Sequence, residues 1–303
     1  MTPGLRRVPW LSLGAIALLL AAAALLQMRI DAQASDFAAQ KEHLLLSSPS
    51  AIKKLSLGYE GLLADIYWTR AVQYYGSHLD AGTQSFDLLW PLLDVTTTLD
   101  PKLIVAYRFG AIFLSEPVAG ANRMDLAVKL VKRGIQANPD NWHLDGDLGF
   151  LYYWRMKDYP ASAATYLEGS QKPGAPIWLR LMAARVSAMG GSVQTSRMIW
   201  SEIYESSKDQ TVKKKALQEL EILKVQDDEE HLDALAAEYE RRFGHHPKSA
   251  EELRAAGFLG GFAVDPEGYP YVFGADGKAA LNPRSTIVIP VIPTPPSAAP
   301  ASK

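Results

Sequence analysis

The sequence predicts an all-α protein: a helical solenoid with one transmembrane helix before it and a small helix-plus-hairpin module after it. Three observations lead there. Apolar residues recur at spacings of three and four through residues 59–225, without the alternation that strands require. Pro101, Pro139 and Pro176 punctuate this stretch at intervals of 38 and 37 residues, in the range of helical repeats. Residues 8–28 carry no charged side chain, and 21 helical residues cover a ~30 Å hydrocarbon core.

At the N-terminus, Arg6 and Arg7 precede the apolar run, and Trp10 stands near its entry end, where an interfacial indole is favoured. Basic residues ahead of the span place the N-terminus in the cytoplasm and the bulk of the chain outside it, in the periplasm of a bacterial envelope. Ala32-Gln33-Ala34 also fits a signal-peptide cleavage site, so residues 1–34 read as a retained anchor or, alternatively, a cleaved leader. The retained anchor is favoured, because the run is long for a leader and the cleavage pattern lies far from its end. Residues 35–56 form a membrane-proximal linker.

Within 57–225 a unit repeats. Trp68, Ala71, Val72 and Tyr75 are followed by Phe109, Gly110 and Phe113, then by Leu148, Gly149 and Tyr152. The aromatic position thus recurs as Tyr75, Phe113 and Tyr152, at intervals of 38 and 39. A return helix follows the first two, through Leu89, Leu93, Thr96 and Pro101, and through Ala127, Val131, Gly134 and Pro139 at the same offsets. A small residue on the first helix admits the second at close range, and the proline ends the unit. The pattern resembles the tetratricopeptide repeat family, with about five extra residues between the two helices of the early units, held in the second unit by 115–125. The resemblance implies a concave groove lined by the first helix of each unit. Carried onto this chain, the groove positions are Ile104, Tyr107, Leu114, His143, Phe150, Tyr153 and Trp154. Such a groove binds an extended peptide or a helix of a protein partner.

Residues 226–286 change character. Asp227 to Glu230 is expected to open a new helix, since acids suit a helix N-terminus, with Leu232, Leu235, Ala236 and Tyr239 on its apolar face and its end near Gly244. Ser249 and Glu252 form a capping box for a short helix stopped by Gly257. Asp265-Pro266-Glu267-Gly268 is a turn, Tyr271-Val272-Phe273 is strand-prone, and Gly274 to Gly277 turns the chain back. This hairpin is similar to the C-terminal segment of type II secretion pseudopilins, which implies a place in an envelope secretion or pilus-type assembly. Residues 287–303, rich in proline, read as a disordered tail.

Composition narrows the chemistry. The 303 residues carry 31 basic and 33 acidic side chains, so bulk charge gives no reason to expect nucleic acid. The absence of cysteine removes disulfides, thiol catalysis, iron–sulfur clusters and thiolate zinc sites. There is no phosphate-binding glycine loop, no His-Glu-x-x-His and no Gly-x-Ser-x-Gly. Adjacent His245 and His246 read as a surface turn. No cofactor, metal or catalytic residue is assigned. The chain is therefore expected to be a non-enzymatic, membrane-anchored scaffold for protein–protein interaction. The alternative is a carbohydrate- or peptidoglycan-directed binder or hydrolase, built on the aromatic face with Asp140, Asp145 and Asp147 as candidate carboxylates.

Overall fold

The computed structural model describes residues 48–80 and 85–289, together with five isolated helical positions between Leu19 and Arg29. The expected anchor at 1–34, most of the linker and the tail from 290 onward lie outside the described residues. Among the described residues no helix is long and apolar enough to cross a membrane. The chain is mostly helical, as expected, and divides into two compact units between Asp147 and Leu148.

The first unit holds α1 (Pro49–Leu55), α2 (Glu60–Asp80), α3 (Leu89–Leu99), α4 (Ile104–Ser115) and α5 (Met124–Ala137), and ends inside α6 (Trp142–Phe150). Helices α2 and α3 pack as one pair and α4 and α5 as the next, with α3 also against α4. The return helices bury the stripe the repeat pattern assigns them: Leu89, Leu93 and Thr96 on α3, and Ala127, Val131 and Gly134 on α5. Glycine makes the close approach possible. A Cβ on Gly110 would lie 2.8 Å from a Leu93 methyl and 2.9 Å from a Leu130 methyl, and one on Gly134 would lie 2.8 Å from the Tyr107 ring. In α2 the register departs from the pattern. Ala71 is fully buried and Val72 is exposed, so the small residue facing inward is the alanine.

Polar bonds in this unit join residues about one repeat apart. Arg133 pairs with Asp94 at 2.6 Å, and Arg108 with Asp147 at 2.6 Å. The Asn138 amide donates to the Pro101 carbonyl at 2.8 Å. The extra residues after α4 form an ordered loop, closed by Ala121 N–H donating to the Phe113 carbonyl and Arg123 N–H to the Leu114 carbonyl.

The second unit continues from α6 into a π-helix (Leu151–Met156), then α7 (Tyr159–Ser170), α8 (Ile177–Met189), α9 (Val193–Ser206), α10 (Gln210–Phe243) and α11 (Ala250–Ala255). From α7 to α10 each helix packs on the next. Gly149 meets α7 as Gly110 meets its neighbours: a Cβ there would lie 2.7 Å from the Tyr166 ring.

Two expectations fail in the C-terminal part. No helix begins at Asp227. Helix α10 runs unbroken through 34 residues, so the boundary placed at 225/226 falls inside it. The N-cap is Asp209, whose carboxylate accepts from Thr211 N–H at 2.7 Å. The acids at 227–230 continue the helix, because Val225, Leu232, Ala236 and Tyr239 keep one face buried across them. Asp227 pairs with Arg197, and Asp228 with Lys224 one turn earlier. The second departure is at 287–289. Ile287 and Ile289 pack on the core of Val225, Leu232, Tyr239, Leu253 and Tyr271, so the start of the proposed tail belongs to the module.

The turns match their residue types. Gly244 and Gly257 adopt φ of +78° and +83° at the ends of α10 and α11. Gly268 N–H donates to the Asp265 carbonyl at 2.9 Å, and the Asp265 carboxylate accepts from Glu267 N–H and Tyr269 N–H. Strands β1 (Val272–Phe273) and β2 (Ala279–Ala280) then pair antiparallel.

Candidate functional site

The seven residues assigned to a groove do not share one environment. On α4, Tyr107 is fully buried and Leu114 is 1% exposed, while Ile104 is half-buried. Tyr107 and Leu114 must be withdrawn from any open groove. The reason is periodicity: Tyr107, Gly110, Ala111 and Leu114 form the stripe that faces the neighbouring helices, with the Tyr107 ring pressed on Gly134 and Gly110 on Leu93 and Leu130. The outward face of α4 carries Phe109 and Ile112, each 49% exposed. The sequence reading assigned neither to the groove, although both follow once Gly110 is fixed inward, since neither shares its face.

Burial also alters the Tyr107 phenol. Loss of solvent pushes its pKa up to about 12, a trend Arg133 opposes and Asp100 reinforces. His143 is half-buried and stacks on Trp142 at 3.5 Å.

In the second unit three assigned residues come together. Phe150 and Trp154 are about half exposed, and their rings lie 6.3 Å apart at an interplanar angle of 7°. Tyr153 is half-buried beside Tyr159. The Lys157 ammonium sits 5.0 Å from the Trp154 ring centroid and 5.9 Å from that of Tyr153, within cation–π range. Lys157 reaches them because it takes a left-handed backbone at φ 56° where the π-helix ends. Asp158 N–H then donates to the Tyr152 carbonyl, and the Asp158 side chain caps α7 through Ala161 N–H. Neither the π-helix nor the role of Lys157 carries a signature in the sequence. The result is a rigid helical stretch presenting two parallel rings and a cation. It offers apolar area, a ring face and a donor, but no nucleophile with a base.

The carboxylates weighed for hydrolysis have three different environments. Asp147 is bound twice by the Arg108 guanidinium, at 2.6 and 3.3 Å. Asp145 is 1% exposed, and Asp140 is exposed in the turn before α6. His245 and His246 are exposed in the turn after α10, and among the described residues no group of three or more metal-ligating side chains converges. The chain matches no protein-family model, no curated protein and no solved structure.

Proposed function

We propose that the chain is a non-enzymatic scaffold of tetratricopeptide-like helical pairs. In this reading it is tethered by residues 8–28 to the cytoplasmic membrane and engages a protein partner on the extracytoplasmic side, within an envelope secretion or pilus-type assembly. The observation that carries it is the pair of half-exposed parallel rings, Phe150 and Trp154, with Lys157 beside them. Large rings with few rotatable bonds, held on a helix, are the groups that dominate protein interfaces. Support for repeat architecture comes from glycine at the helix contacts of Gly110 and Gly149, and from bonds that link residues 37 and 39 apart. The secretion setting rests on the likeness of the 265–277 hairpin to pseudopilins. The protein–protein reading is favoured over the carbohydrate one because Asp147, one of the candidate carboxylates, is held by the Arg108 guanidinium.

The test is Phe150→Ala combined with Trp154→Ala. Both rings are about half exposed, so the melting temperature should change little, in keeping with surface substitutions worth about 0.5 kcal/mol or less. Partner capture from crosslinked membranes should fall by about tenfold or more, the loss of one hot spot. Unchanged capture by a folded double variant would remove the interface from this face.

A further inference from the structure

Around the start of α2 the ordinary distribution of polar and apolar side chains is reversed. Ser56 is 4% exposed, and its hydroxyl donates to Glu60 Oε1 at 2.7 Å, while the leucines on either side, Leu55 and Leu57, are 76% and 86% exposed. Leu57 holds a left-handed backbone at φ 51°, a conformation a leucine rarely adopts. Tyr59, Leu62 and Ile66 follow at spacings of three and four, on one face, with exposures of 67%, 60% and 46%. One turn further on, that face becomes polar, at Thr69 and Gln73. On this face of α2 the apolar surface is therefore confined to the turns nearest, along the chain, to residues 8–28. Lys53 and Lys54 close α1 beside it.

We propose that these exposed side chains, Leu55, Leu57, Tyr59, Leu62 and Ile66, lie in the headgroup–acyl boundary of the bilayer. The inference rests on reading 8–28 as a membrane span. Aliphatic side chains outside and a satisfied serine inside is the pattern of a surface whose outer solvent is hydrocarbon. A tyrosine with its ring at such a boundary and a lysine, Lys54, whose head reaches headgroups fit the same depth. The twenty residues between Met28 and Pro49 extend at most about 70 Å, so a span at 8–28 keeps this face tethered to the bilayer. Tethering raises the effective concentration to the millimolar range, so a shallow patch suffices to hold the first unit against the lipid. Asp65 is the exposed acid on these turns, Glu60 is held by Ser56 and the Lys53 ammonium donates to the Thr98 carbonyl at 3.1 Å, which leaves Lys54 as the cation offered to the lipid headgroups.

Because the chain has no cysteine, single substitutions give unique labels on the full-length protein. Leu57→Cys, Leu62→Cys, Val118→Cys and Leu19→Cys would each carry an environment-sensitive fluorophore, in vesicles of phosphatidylethanolamine and phosphatidylglycerol with and without a lipid-borne quencher. Val118, 89% exposed, is the solvent control, and circular dichroism verifies that each labelled protein is folded. The labels at 57 and 62 should emit to the blue of the label at 118 and be quenched at least twofold more deeply. Emission and quenching equal to those at 118, with the label at 19 strongly quenched, would overturn the proposal and leave the anchor standing. Blue-shifted but unquenched labels at 57 and 62 would also overturn it, since protein, from 8–28 or a second copy, would then cover the face. An unquenched label at 19 would refute the span itself, whatever the other labels report.

Discussion

Tyr107→Ala should lower the stability of the first unit by about 3–5 kcal/mol, enough to unfold a marginal domain. The ring is fully buried and lies against Gly134, where a Cβ would fall 2.8 Å from it. Tyr107→Phe should be close to neutral at pH 7. It keeps the ring and removes a buried hydroxyl that makes no hydrogen bond, which can even be favourable. Wild type and Tyr107→Phe also separate in alkali. Folding raises the phenol pKa from its ordinary value near 10 to about 12, so the fold favours the neutral form. The associated stability is complete below pH 10 and is lost as pH rises through about 12. Chemical denaturation at pH 7 and pH 11 should show the wild type losing stability relative to Tyr107→Phe. An alanine variant as stable as wild type would mean that the ring is not core.

Gly149→Leu should be strongly damaging to the second unit. Its Cβ would fall 2.7 Å from Tyr166, a ring that is 2% exposed and has no space to withdraw. The rest of the leucine side chain would force α7 away, at a cost of about 1–3 kcal/mol or more. Gly190 supplies the comparison. It has an ordinary φ of −83°, and a Cβ there would lie 3.3 Å from Pro160 and Tyr159, which small shifts relieve. Gly190→Leu should therefore melt closer to wild type than Gly149→Leu. Equal melting temperatures would show that the close approach of Gly149 and Tyr166 is wrong.

What could be read from the sequence and what could not follows from how locally each feature is determined. The turns at Asp265–Gly268 and Gly274–Gly277 depend on proline, aspartate and glycine within four residues, and they form where expected. The inward glycines at 110 and 149 were legible because a missing side chain in an apolar stripe has few other uses. The side of α4 that meets protein was not legible. Tyr107 and Leu114 lie on a clean periodic stripe, and periodicity states that one face is apolar without stating what covers it. The family groove positions were carried onto that stripe, which is the one packed inside. In α10 the acids at 227–230 suggested a helix start, yet their pairing with Arg197 and Lys224 is a tertiary and a side-by-side effect that a local rule does not weigh. The π-helix at 151–156 adds a residue to a turn without any marker in the sequence, and it is this turn that brings Lys157 to Trp154.

The scaffold reading is tested most directly by photo-crosslinking in intact cells. A photoreactive amino acid is placed in turn at Phe150, at Trp154 and, as a control of similar exposure on another helix, at Met198, which is 62% exposed. The account predicts the same discrete protein adduct from positions 150 and 154, absent from 198, and lost from position 150 when Trp154→Ala is added. Adducts to no protein at 150 and 154, or the same adducts at 198, would contradict it.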